Sequence, residues 1–235
     1  MPKLTIVPCE DCTHKNDSIF CSLERASLEG LSRHKVMNNY KRGHTIFFQG
    51  NPPFGLYCIN EGKIKIAKIG NDGKESIIRI AGPGDVIGHR SLLGNENYSA
   101  TATVIEDASV CFIDKKHITD VIYEKPELAL KVIEKLSKEM GQAEARNASM
   151  SQKNVCERLA ELLLNLKNKY GVKEDHGWRL DIKLTREEMA AIIGTANETV
   201  IRTISDFRNE GILDQIGKTI YITDVKKLES FANLN

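Results

Sequence analysis

The sequence predicts an α+β chain of two domains: an antiparallel β-domain of barrel or jelly-roll type, a long helix, and a C-terminal helix-turn-helix followed by a small hairpin. Three observations carry that prediction. Glycine recurs at short intervals between roughly residues 41 and 114, an apolar 4-3-4-3 spacing runs from Ala129 to Met150, and LTREEMAAIIGTANETVIRT reads as two short helices around one glycine. At 235 residues the chain exceeds the usual single-domain size, so two separate cores are expected.

Between the glycines of the first domain lie TIFFQ, GLYCIN, KIKIAKI, ESIIRIA and SATATVIED, several with the period-two alternation of half-buried strands. In KIKIAKIGNDGKESIIRIA, Ile64 and Ile66 alternate with Lys63 and Lys65, and GNDG supplies turn residues that tolerate positive φ, which predicts a hairpin.

After Pro126 no glycine occurs until Gly141, and Ala129, Ile133, Leu136, Met140, Ala143, Asn147 and Met150 fall on the a/d seam of a two-stranded coil. Charged flanks, among them Lys131, Glu134, Lys138 and Glu144, keep the stripe narrow. A narrow stripe suits a partner helix and hence a homodimer; a helix lying on its own β-domain is the alternative.

A polar stretch near 148–153 separates this helix from VCERLAELLLNLKNKYG, a second helical pattern expected to end near Tyr170. A short strand is expected at WRLDIKL. Thr185 with Glu188 three residues later forms a capping box, Gly194 closes the first helix, and Asn197 or Thr195 begins the next. In that second helix Val200, Ile204 and Phe207 form the inward stripe, leaving Asn197, Glu198, Ile201, Arg202 and Asp206 outward. Arginine forks onto guanine and glutamate accepts from cytosine, so the outward set suits base reading; an ordinary helical hairpin is the alternative. ILDQIGKTIYITD completes the domain as a hairpin.

Composition narrows the function classes. Charge is balanced at a formal +1, so no overall basic footprint marks the chain, and phosphate contacts must come from local placement of Arg179, Arg186, Arg208 or Lys218. No signal-peptide core or membrane-length apolar run is present, which predicts a cytoplasmic protein with no membrane partner. No nucleophile-base arrangement, Walker loop or dinucleotide fingerprint points to an enzyme. The six cysteines, Cys9, Cys12, Cys21, Cys58, Cys111 and Cys156, favour ligation or redox chemistry over a disulfide framework in a reducing compartment.

A glycine-punctuated β-domain, a dimer helix and a helix-turn-helix carrying NETVIR resemble, in that order, the cyclic AMP receptor/fumarate and nitrate reduction regulator (CRP/FNR) family, over roughly residues 22–224. The resemblance implies a β-roll (a double-stranded β-helix), a winged helix-turn-helix, and a homodimer that binds a two-fold symmetric site on double-stranded DNA and regulates transcription through RNA polymerase. The divisions become 1–22 as a cysteine-rich segment, 23–125 as a sensor roll, 126–150 as the dimer helix and 151–235 as the DNA-binding domain. Glu198 and Arg202 match the family's base-reading positions, and the candidate DNA-contacting set is Asn197, Glu198, Ile201, Arg202, Thr185 and Arg186. The family's cyclic-nucleotide pocket uses a glutamate and an arginine where this chain has His89 and Tyr98, so cyclic AMP loses its ribose acceptor and phosphate fork and is not expected to bind.

The family's oxygen-sensing branch holds a four-iron cluster with three N-terminal cysteines and one from the roll. Cys9, Cys12, Cys21 and Cys111 match that arrangement and imply a [4Fe-4S] cluster, although C-x2-C-x8-C is longer in its second gap than the branch's C-x2-C-x5-C. Zinc on the same thiolates, or on three with His14, is an alternative, with Cys111 as simple core packing another. Two further functional readings stay open: a regulator sensing a small effector in the roll with structural cysteines, and a thiol redox protein using CEDC. Cys58 and Cys156 are read as packing or surface residues.

Overall fold

The computed structural model describes residues 7–233, so residues 1–6 of the cysteine-rich segment lie outside the described residues. Two compact units divide the chain at Gln142/Ala143, inside the long helix rather than at its end.

The first unit opens with three 3-10 turns, Cys9–Asp11, Lys15–Asp17 and Ile19–Ser22, then α1 (Arg25–His34), β1 (Lys35–Tyr40), β2 (Thr45–Phe47), β3 (Gly55–Ile69), β4 (Glu75–Ala81), β5 (Val86–Ile87), α2 (His89–Leu93), β6 (Thr101–Asp114), α3 (Lys115–Glu124) and α4 (Pro126–Gln152). Every strand pair is antiparallel: the path runs β1-β6-β3-β4, with β2 added to β6 and β5 to β3. The expected hairpin is β3–β4, from Ile64 opposite Ala81 to Ile69 opposite Glu75, with Gly73 at φ 77° in its turn.

Two apolar cores lie on opposite faces of β3 and β6, as period-two alternation requires. Inside the roll, Ile59, Ile64, Val104 and Val110 pack with Phe47 and Tyr98. Outside it, Leu56 and Ile113 pack with Ile19, Phe20, Leu23, Leu28, Leu31, Leu128 and Val132. The N-terminal turns, α1 and the first half of α4 therefore share one continuous core. Where β3 crosses β6, Gly62 sits at φ 84° and an ideal Cβ would lie 2.3 Å from the Asp107 carbonyl, so only glycine fits there.

On α4, Leu128 and Val132 are buried and Leu136 packs against the same core. Leu136, four residues from Val132, is half-buried and lies along the roll-facing ridge. Leu130, Ile133 and Met140 are 67, 58 and 64 % exposed, and Ala143 and Asn147 are exposed beside them. Ala129 is half-buried.

The second unit begins with the last turns of α4 and continues as α5 (Val155–Tyr170), β7 (Gly171–Glu174), β8 (Gly177–Leu180), α6 (Arg186–Ile193), α7 (Asn197–Asn209), β9 (Leu213–Ile216), β10 (Thr219–Ile222) and α8 (Val225–Phe231). Asn154 and Glu157 form a capping box that starts α5, and its Leu159, Leu163 and Leu166 are buried. The strand expected at WRLDIKL stops at Leu180, and it pairs with β7, which sequence periodicity did not reveal, in a sheet ordered β7-β8-β10-β9.

Candidate nucleic-acid interface and thiol site

Thr185 starts α6 as the sequence predicts: its hydroxyl accepts from the Glu188 amide (3.1 Å) and the Glu188 carboxylate accepts from the Thr185 amide (2.8 Å). Gly194 stops the helix in the left-handed region (φ 67°, ψ 54°), and an ideal Cβ there would lie 3.2 Å from Met150 Cε. Met150 thus meets the helix-turn-helix turn. The next helix begins at Asn197, one of the two residues expected to start it. Ala196 is its N-cap with no side-chain bond, and Asn197 is its first residue, with Oδ1 buried and lacking a hydrogen-bond partner among the described residues.

Along α7, Val200, Thr203, Ile204 and Phe207 are buried, and the Thr203 hydroxyl donates to the Thr199 carbonyl (2.9 Å). Glu198, Ile201, Arg202, Ser205 and Asp206 are exposed on the opposite face, with Ile201 at 50 %. This confirms the outward face read from the sequence except at Asn197, which is half-buried. A stripe with an arginine, a glutamate and an aliphatic side chain can meet guanine, cytosine and a thymine methyl.

The basic residues around this face differ in availability. Arg179 is paired with Glu174 (2.6 Å) and Asp181 (2.8 Å), which raise its guanidinium pKa further. Arg186 donates to Gln215 Oε1 on β9 (2.6 Å), and burial, then the charge of Arg208, lowers its pKa. It joins α6 to the hairpin. Lys218 is exposed at the β9–β10 turn and Arg202 and Arg208 are exposed on α7.

In the first unit, the Cys9 amide donates to Ser32 Oγ of α1 (2.6 Å), the Ser32 hydroxyl donates to Glu10 Oε2 (2.7 Å), and Cys12 Sγ lies 4.0 Å from Asn60 Oδ1 on β3. Lys35 Nζ donates to the Val7 carbonyl. Cys111 on β6 is directly opposite Cys58 on β3. Burial raises the thiol pKa of both, with neighbouring Cys9 and Cys12 adding to it and Lys35 opposing. Of the predicted ligands, Cys111 lies opposite Cys58, Cys9 packs against the core that Cys58 touches, and Cys12 is beside Asn60. Cys21 is exposed and lines a cavity with Glu10, Lys15, Phe20 and Arg25. Cys58, which sequence reading set aside as packing, joins the group; its signal was the strand alternation that pairs GLYCIN with SVCFID. Cys156 is exposed on α5.

Where the resemblance locates a nucleotide, the chain's own side chains are engaged. His89 is 2 % exposed and its Nε2 meets Glu139 Oε2 of α4 (3.0 Å), while Arg79 donates to Glu139 Oε1 (2.7 Å). Tyr98 is buried and stacks on Phe47 with ring centroids 3.9 Å apart.

Residues 37–125 match the cyclic nucleotide-binding domain and residues 157–231 the Crp-like helix-turn-helix domain. The CRP-like cAMP-activated global transcriptional regulator of Mycobacterium tuberculosis is 30 % identical over 210 residues, spanning 89 % of this chain and 94 % of that protein. The transcriptional activator protein anr of Pseudomonas aeruginosa is 26 % identical over 225 residues, spanning 95 % and 92 %. The structure of FixK2 from Bradyrhizobium japonicum shares the fold, with a TM-score of 0.78 at 22 % identity over 86 % of this chain and 98 % of that one. No helix among the described residues is long and apolar enough to cross a membrane. With both domains matched in order, a relative aligned over nearly its whole length and an exposed reading face on α7, the chain is a DNA-binding transcription regulator of the CRP/FNR family.

Proposed function

We propose that this regulator works as a homodimer on a two-fold symmetric DNA site, acts through RNA polymerase, and reports oxygen or redox state through an iron-sulfur cluster held between its N-terminal segment and its roll. The observation that carries the sensing half is the gathering of Cys9 and Cys12 over the strand pair that presents Cys111. The donor set fits the group: thiolates are what such a cluster takes, and Lys35 adds a positive charge beside them. When bound, the cluster supplies an oxygen-labile redox centre. The chain supplies the coupling, because Ile19 and Phe20, which anchor the thiol-bearing segment, share a core with Leu128 and Val132 of α4. A change in docking of that segment is felt by the dimer helix through direct packing.

The exposed Leu130, Ile133 and Met140 support the dimer, as does Gly141, where an ideal Cβ would meet nothing. A mid-helix glycine costs about 1 kcal/mol against alanine, a cost that close approach of a partner helix would offset. Cyclic AMP is named for the mycobacterial relative; here the engaged His89 and Tyr98 argue against it.

Anaerobically purified protein should contain iron and acid-labile sulfide, and admitting air should change its affinity for a selected two-fold DNA site. Colourless, zinc-loaded protein would refute the redox reading and leave the DNA-binding output standing. On the output side, Arg202→Ala should weaken site-specific binding by about 1–3 kcal/mol. Unchanged sequence preference in that variant would move base reading elsewhere on α7.

A further inference from the structure

Cys21, the third N-terminal cysteine, is exposed, while Cys58 lies opposite Cys111. We infer that the set holding the cluster is Cys9, Cys12, Cys58 and Cys111, with Cys21 outside it, an assignment that rests on the cluster reading above. Cys58 and Cys111 are directly opposed in the antiparallel β3–β6 pair. Directly opposed residues point to the same face with Cβ atoms about 5 Å apart. That face is the outer one: Leu56 and Ile113, one alternation away, pack in the core beneath the N-terminal turns, whereas Ile59 and Val110 point into the roll.

The N-terminal pair reaches the same place from above. Cys9 packs against the core that Cys58 also touches, and Cys12 Sγ is 4.0 Å from the side chain of Asn60, two residues along β3 from Cys58. Cys21, by contrast, is exposed.

The long second gap of C-x2-C-x8-C explains the displacement. Ser18 Oγ accepts from the Phe20 amide (3.2 Å) and starts the last 3-10 turn, which drives Ile19 and Phe20 into the core. Cys21 follows on the outward side, so the gap is used to dock the segment and the third N-terminal thiol falls beyond reach. Cys58 supplies the missing donor from the roll. Among the described residues no three ligand-type side chains close on a single ion. A cubane, with an iron for each thiolate, holds its ligands further apart than one zinc ion with bonds of about 2.3 Å.

The test starts from the full-length apo protein reconstituted anaerobically with ferrous iron and sulfide, expected to reach roughly four iron per protomer. In the loaded wild type, iodoacetamide should label Cys21 as fast as in the apo protein, while Cys9, Cys12, Cys58 and Cys111 become protected. Cys21→Ser should load fully. Cys58→Ala, with its apo fold verified by circular dichroism, should lose affinity for the cluster by roughly 10–100-fold or more, the scale of even an outer-shell loss. Protection of Cys21 on loading, or full loading of Cys58→Ala, would overturn the assignment alone. Wild-type protein that takes up no iron and sulfide would sink the cluster reading and this assignment with it.

Discussion

Two faces of α4 run side by side and have opposite environments. One carries Leu128, Val132 and Leu136 into the core of the first unit, followed by Lys135 and Glu139 in ion pairs with Asp85 and Arg79. The other leaves Leu130, Ile133 and Met140 exposed. The difference leaves one stripe to the roll and the other free for the proposed second copy, with both stripes made of ordinary aliphatic residues. A heptad count merges them, because position 136 lies within one turn of both 133 and 140.

Ile133→Asp should separate the faces with the largest effect. Each protomer loses an aliphatic contact at the seam, at about 1.5–3 kcal/mol per side chain, or roughly 3–6 kcal/mol for the dimer. Sedimentation should show monomer at concentrations where the wild type is dimeric, with thermal stability of the isolated monomer unchanged. An unaltered sedimentation coefficient would place the dimer contact elsewhere. Leu128→Ala should do the reverse: a cavity in the shared core costs about 2–5 kcal/mol in urea unfolding and leaves the seam residues in place. If Leu128→Ala weakened only dimerisation, the two faces would not be distinct in function.

Legibility in the sequence followed the distance over which each feature is built. The α6–α7 pair is local, so Thr185, Gly194 and the buried Val200, Ile204 and Phe207 stand where spacing alone located them. The first core could be read as strands and a long helix, but not that α1 and the N-terminal turns cover its outer face. The α7 start at Asn197 was legible too, but not that its Oδ1 is buried or that Ala196 takes the cap position without a side-chain bond. The thiol site was the least legible. Its four sulfurs come from three segments, and only the register of β3 on β6 reveals that Cys58 faces Cys111. Leu136 makes a similar point, since only its packing against the first core shows that it also touches the roll-facing stripe.

The smallest of the expected effects lies at the charged end of the roll-facing stripe. Burial raises the pKa of Glu139, but the hydrogen bond from His89 and the charges of Arg79, His89 and Lys135 outweigh it and bring the carboxyl down to about 2. A carboxylate with a depressed folded-state pKa stabilises the fold above its unfolded value of 4.5, and that stability is lost as pH falls from about 4.5 toward about 2. The shift corresponds to at most about 3 kcal/mol. Glu139→Gln should therefore be less stable than wild type at pH 7 by up to that amount, part of it reflecting Arg79 left with a weaker partner. The gap between the two proteins in urea unfolding should close as pH falls through this window. A gap that stays constant to pH 2 would mean that the Glu139 charge does not hold α4 to the roll, and that the aliphatic ridge alone distinguishes the buried face from the exposed one.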